Sequence, residues 1–253
     1  MIQSVDRAAR ILKALSSGPG RLGVSELAGH VGLAKTTVHG LLQTLQHHGL
    51  VEQDSDSDKY QLGPELLKLS NRYLDLSELR ARSLAWSEIL AERVEESVRV
   101  GVPHGNGLLV VHHVFRPDAS LQILEVGSVL PLHATALGKA TLAYFDDAQA
   151  DELLTELPRL TGHTHVQRSA LKREFATIRE RGYALEREEA VLGEVGVAAP
   201  IFDRRSEAVG AIGVAGPRER VLRRGREQVV SAAVIEAARA ISRDLGAPRW
   251  PAV

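Results

Sequence analysis

The 253-residue chain has no cysteine and a single methionine, and aromatic residues make up only 4% of it. Without thiols, disulfides and thiolate metal sites are excluded, and nothing more about compartment follows. No stretch reaches the roughly 18 consecutive apolar residues that cross a bilayer. The first residues, Met1 to Arg7, carry charges where a secretory leader needs an apolar core, so no membrane and a cytoplasmic location are expected. No charge sign dominates either: 31 Lys+Arg against 32 Asp+Glu leave a net −1. That balance argues against a coat protein living on phosphate neutralisation, but not against a sequence-specific binder whose contact surface is small. What is present, 44% hydrophobic and 25% charged residues, is ordinary for a globular protein, and the length suits two domains.

Apolar periodicity opens the chain. Ala8, Ile11, Leu12 and Leu15 lie on one helical face over residues 5–16, and Ser17-Gly18-Pro19-Gly20 breaks the helix. Ser25 reads as the N-cap of a second helix, with Val24, Leu27, Ala28 and Val31 on one face. After Gly32-Leu33, a third helix over about 35–48 carries Val38, Leu41, Leu42 and Leu45 inward and stops at Gly49. This is a helix-turn-helix pattern. Residues 50–53 and 59–63, separated by Asp54-Ser55-Asp56-Ser57-Asp58, read as a hairpin, the wing of a winged helix. The outward face of the third helix holds Lys35, Thr36, Thr37, His39, Gln43 and His47, suited to phosphates and base edges in a major groove. An ordinary solvated face of an interaction module has the same composition, and the wing favours DNA.

Beyond Pro64, Leu66, Leu69, Tyr73 and Leu76 form a narrow helical seam, for a partner helix or for packing within its own domain. A helix over 78–93 follows, then a hairpin of Val98–Val102 and Leu108–Phe115 with Leu121–Leu124 continuing the sheet. Helices are expected at about 138–145, 148–157 and 169–181. Strands are expected at 183–188, 195–202 and 209–215, and a C-terminal helix carries Val230, Val234, Ala237, Ile241 and Leu245. Strands in hairpins with helices at both ends indicate an α+β fold.

Gln3-Ser4-Val5-Asp6-Arg7-Ala8, Gly32-Leu33-Ala34-Lys35-Thr36-Thr37-Val38-His39 and Tyr60-Gln61-Leu62-Gly63 resemble the IclR family of bacterial regulators. Pro131–Ala140, Gly193–Ile201 and Gly210–Pro217 extend the likeness over nearly the whole chain. The resemblance implies a winged helix-turn-helix (1–63), a linker helix (64–77) and a GAF-like effector-binding and oligomerisation domain (78–253). It also implies operator DNA as partner of Lys35, Thr36, Thr37, His39, Gln43 and Lys59, and a homo-oligomer joined through the linker. An effector pocket would be formed by Ala136, Leu137, Glu186, Gly196, Gly213 and Ala215. Glycine at 196 and 213 and alanine at 215 replace the cysteine and serines other members can carry, which leaves a roomier, less polar pocket; tight strand packing is the other reason for small residues there. Leu45 to Asp54, Leu76 to Arg82, His112 to Asp118 and Ser242 to Ala247 are similar to actinobacterial glycerol-operon repressors. This implies glycerol or glycerol 3-phosphate as effector, a phosphate resting on the helix start near His133 or Lys139.

Enzyme motifs fail on context, so no catalytic residue, cofactor or metal is expected. Gly18-Pro19-Gly20-Arg21-Leu22-Gly23 follows a helix and not a strand, Gly138-Lys139 lacks the rest of a P-loop, and Ser169-Ala170-Leu171-Lys172 reads as a helix cap. His112 and His113 point to opposite faces of a strand, and His163 with His165 has no third ligand in view.

Overall fold

The three N-terminal apolar stripes interlock. In the computed structural model, which describes residues 1–17, 20–75, 77–118, 122–223 and 225–250, they form α1 (Gln3–Ser17), α2 (Val24–Val31) and α3 (Lys35–His47). Ile11, Leu15, Leu27, Val31, Val38 and Leu42 from all three are buried in one core with Val51 and Tyr60. Between α2 and α3 the chain turns at Gly32, whose φ of 64° suits a residue without a Cβ. The hairpin β1 (Val51–Gln53) and β2 (Tyr60–Leu62) follows, and Leu22 bridges to Tyr60 on its other side. Gly18 and Pro19 of the expected helix break lie outside the described residues. Ser25 is not the N-cap: Gly23 holds that place in extended conformation, and the Glu26 carboxylate reaches back to accept its N–H at 2.6 Å. Glutamate at the third helical position does the work assigned to serine. Helix α4 (Glu65–Asp75) carries Leu69 and Tyr73 56% and 54% exposed, while Leu66 is half-buried and Leu76 lies outside the described residues.

The chain separates into two units, Met1–Leu76 and Ser77–Val253. In the second, α5 (Glu78–Val94) leads into β3 (Ser97–His104) and β4 (Gly107–Val114), an antiparallel hairpin closed by Gly105-Asn106. Then come β5 (Val129–Pro131), α6 (Ala136–Leu142), α7 (Asp147–Leu153), α8 (Arg168–Arg181), β6 (Ala184–Arg187), β7 (Glu194–Phe202), β8 (Ala208–Pro217), α9 (Arg218–Val221) and α10 (Arg226–Asp244). The sheet is antiparallel in the order β5-β4-β3-β8-β7-β6, which makes the unit α+β as expected. Helix α10 packs along β7, and α6 lies over β7 and β8 on a core shared with α8.

Three expectations fail here. Gln122–Leu124 is not a strand, and Leu121 lies outside the described residues. Ile123 and Leu124 are 81% and 60% exposed, and the Gln122 amide bonds the Arg116 backbone; the edge is taken instead by β5. Ser169 lies inside α8, whose N-cap is Gln167 without a side-chain bond. Helix α7 stops at Leu153, short of 157.

Candidate functional site

Two surfaces concentrate the residues singled out by sequence. On α3, Val38, Leu42 and Leu45 face the core, so the spacing of 3.6 residues per turn puts Lys35, Thr36, His39 and Gln43 on the exposed side, with Thr37 half-buried. Lys59 at the wing lies apart from them in sequence and is engaged, its Nζ 3.4 Å from Glu26 Oε2. The wing turn carries Asp54, Asp56 and Asp58, acidic residues that would repel phosphates. The Asp54 carboxylate in fact accepts from Asp56 N–H and Ser57 Oγ and pairs with Arg21, so it stabilises the turn and is largely neutralised. Arg21, which also donates to Gln61 Oε1 at 2.8 Å, is a cation beside the wing that sequence reading missed. Its only signal was position, since Leu22 joins the wing strand β2.

The other surface is a cavity of about 530 Å³ in the second unit, a usual size for a small-molecule site. Ala136, Leu137, Glu186, Gly196, Gly213 and Ala215 all line it. Strand register explains why. Ala215 stands opposite Gly196, and Gly196 opposite Glu186, so these side chains share one sheet face. Arg99 is likewise opposite Gly213. Helix α6 closes over this face because Thr135 caps it, accepting the Gly138 N–H at 3.2 Å and donating to Pro131 O at 2.8 Å. A Cβ on Gly138 would come within 2.4 Å of Leu132 O, so only glycine allows this approach.

Small wall residues prove to serve packing as well as space. A Cβ at Gly213 would meet Ala198 Cβ and Val197 O at 2.6 Å, whereas at Gly196 the nearest atoms are Ala136 Cβ at 3.1 Å and Glu186 Oε2 at 3.3 Å. Glu186 is buried, and its Oε1 accepts the N–H groups of Glu189 at 2.7 Å and Ala190 at 3.3 Å. Burial raises its pKa to about 7, and the neighbouring Glu189 charge adds to the rise; the two amides and Lys139 act the other way.

The cations expected near a bound phosphate are elsewhere. Lys139 is fully buried, its Nζ 2.6 Å from Glu189, 2.7 Å from Glu174 and 3.2 Å from Leu185 O. His133 is buried with Nε2 3.0 Å from Pro158 O. Neither lines the cavity. Helical periodicity explains the miss: Lys139 lies three residues beyond Ala136, but α6 is buried all round. Among the described residues, the cation that does line the cavity is Arg99, paired through Nη2 with Glu125 Oε1 at 2.6 Å. His165, Glu174 and Glu189 bring ligand atoms within 4.8 Å of one another, without His163. The Lys139 ammonium already balances those carboxylates, so their attraction for a metal ion is weak.

A winged helix with a polar outward helix, in a chain that also holds a lined cavity, defines a DNA-binding transcriptional regulator. Residues 4–55 match the IclR helix-turn-helix domain and residues 71–243 the C-terminal domain of bacterial IclR transcriptional regulators. The chain belongs to the IclR family. It is 50% identical over 251 residues to the glycerol operon regulatory protein of Streptomyces coelicolor, and 48% identical over 250 residues to that of Streptomyces griseus; each alignment covers 98% of both chains. The crystal structure of Thermotoga maritima IclR superposes with a TM-score of 0.81 at 27% identity, over 97% of this chain and 100% of that one. No helix among the described residues is long and apolar enough to cross a membrane.

Proposed function

We propose that this protein represses a glycerol catabolic operon and releases its operator when glycerol or glycerol 3-phosphate enters the cavity. The observation that carries the reading is the near-50% identity, end to end, with two glycerol operon regulatory proteins. In this reading residues 1–63 hold DNA, with Lys35, Thr36, Thr37, His39, Gln43 and Lys59 at the interface. Residues 78–253 bind the effector through Ala136, Leu137, Glu186, Gly196, Gly213 and Ala215, and the protein catalyses no reaction. The exposed Leu69 and Tyr73 on the linker helix support pairing of two copies, which would read two half-sites.

The test is a binding assay on the DNA upstream of the gene and its neighbours. Operator affinity should fall roughly 5- to 150-fold with saturating glycerol or glycerol 3-phosphate, the usual range of coupling between sites. The ligand acts only through a difference in affinity between the two states, so operator DNA should weaken ligand binding by the same factor. Tight operator binding insensitive to both compounds rules out the glycerol reading and leaves the family assignment standing.

A further inference from the structure

The cavity floor is apolar and small, but its two sides are charged. Strands β3, β8, β7 and β6 are successive neighbours, and Arg99 stands on the first and Glu186 on the last. Three interstrand steps put their backbones roughly 14 Å apart. Gly213, Ala215 and Gly196 lie on the strands between, leaving room for a molecule of a few heavy atoms spanning the gap. Among the described residues, Arg99 is the one basic side chain on this lining. Its side chain is only 17% exposed, and its Nε is buried with no hydrogen-bond partner. A buried guanidinium donor without a partner is costly and asks for an acceptor.

Glu125, the present partner of Arg99, is the more exposed of the two at 27%. Its backbone is held independently of its carboxylate: its N–H donates to His113 Nδ1 at 3.2 Å, and its C=O accepts from Ser128 N–H at 2.9 Å. The carboxylate can thus swing to solvent without unravelling the segment. We propose that Arg99 is the anion anchor of the cavity, and that the Glu125 carboxylate holds its guanidinium until a ligand phosphate or carboxylate replaces it. The ligand class is a small hydroxylated anion. Its charged end sits in the Arg99 fork, which presents paired donors to planar or tetrahedral oxyanions. Its hydroxyl end meets Glu186, whose Oε2 adjoins the space over Gly196. This inference rests on the cavity being the effector site. Within that reading it selects glycerol 3-phosphate over glycerol.

Calorimetry on the full-length protein with glycerol 3-phosphate, glycerol and inorganic phosphate tests it, using wild type, Arg99→Gln, Arg99→Lys and Glu125→Gln. Arg99→Gln should lower the ratio of glycerol 3-phosphate to glycerol affinity roughly 10- to 100-fold, the size of a lost charged hydrogen bond. Arg99→Lys, with its charge but no fork, should fall between. Glu125→Gln keeps Arg99 and removes its competitor, so glycerol 3-phosphate should bind more tightly, and this variant decides the matter if Arg99→Gln does not fold. An unchanged ratio in Arg99→Gln together with unchanged or weaker binding in Glu125→Gln overturns the proposal and makes the pair a structural one. A wild type that ignores both glycerol compounds but binds phosphate through Arg99 removes the glycerol reading and keeps the anchor. Binding of none of the three overturns both.

Discussion

The two units treat charge in opposite ways. In Met1–Leu76, no described residue in the buried core is charged, and Tyr60 is its one hydrogen-bonding side chain. The second unit buries Glu96, Lys139, Glu186 and Glu189 together with His113 and His133. An apolar core over a small helical unit makes a platform whose charges all remain outside, where DNA phosphates can meet them. Charges inside the second unit do the reverse: Glu186 gives the cavity lining a polarity that a purely apolar core would lack, and Lys139 and Glu189 pair off behind it. The first unit is thus tuned at its surface and the second at its interior.

The largest effect is expected from Lys139→Met, which keeps the side-chain length and removes the charge. Glu174 and Glu189 would lose the ammonium they share, and loss of one partner of a buried ion pair costs about 3–5 kcal/mol. Both tryptophans, Trp86 and Trp250, lie in the second unit, so their fluorescence during urea unfolding reads that unit alone. A variant whose fluorescence midpoint equals that of wild type would show that the cluster contributes nothing to the fold.

Next in size is Leu42→Ala, a fully buried position in the core of the first unit. Truncation there costs about 2–5 kcal/mol through lost burial and the cavity left behind. Operator binding should collapse while the tryptophan transition stays where it was. If that transition moves as well, the two units do not unfold independently.

A subtler difference appears with pH, because two buried groups of the second unit oppose each other. Burial raises Glu186 to about 7 from 4.5, so its ionisation weakens the fold progressively as pH rises from 4.5 to 7. Burial, followed by the charge of Arg99 and then of His112, lowers His113 to about 4 from 6.5. Its stabilising contribution is complete above pH 6.5 and is lost as pH falls toward 4. Each shift corresponds to about 3 kcal/mol, so between pH 4.5 and 6.5 they largely cancel. Glu186→Gln should unmask the histidine: the variant gains stability over wild type at pH 8 and loses the advantage toward pH 5. Parallel pH curves for the two proteins, followed by tryptophan fluorescence, would exclude this balance.

How far the sequence could be read follows the same division. In the first unit, charge and apolarity separate by periodicity, so the helices, the wing and the outward face of α3 were all visible. What escaped was set by contacts between distant residues: Arg21 beside Asp54, and Glu26 in place of Ser25 at the cap. In the second unit, periodicity located most strands, but it could not tell which polar residues turn inward. Lys139 was expected beside a ligand phosphate and is a buried counter-ion, whereas Arg99, which no motif singled out, lines the cavity. Gly213 was read first as pocket wall, with strand packing as the other reason for a small residue, and the 2.6 Å contacts a Cβ would make there show that packing also requires glycine.

The smallest effects belong to the surface of the first unit. Because α3 turns its apolar residues inward, substitution of Lys35, Thr37 or His39 should leave the unfolding transitions unmoved while altering DNA binding. The direction differs by residue. Lysine at the first helical position offers a charge to a phosphate, so Lys35→Ala should weaken operator and scrambled DNA alike and reduce the log-log salt slope by about one unit. Thr37 and His39, one and three residues beyond Thr36, offer hydrogen bonds to base edges. Thr37→Ala and His39→Ala should therefore each cost about 1–3 kcal/mol on the operator and almost nothing on scrambled DNA, with the salt slope retained. Fluorescence anisotropy on both DNAs across a salt series separates the two behaviours. Three variants that bind the operator as wild type does would make this face an ordinary solvated one and move the reading of sequence to another element.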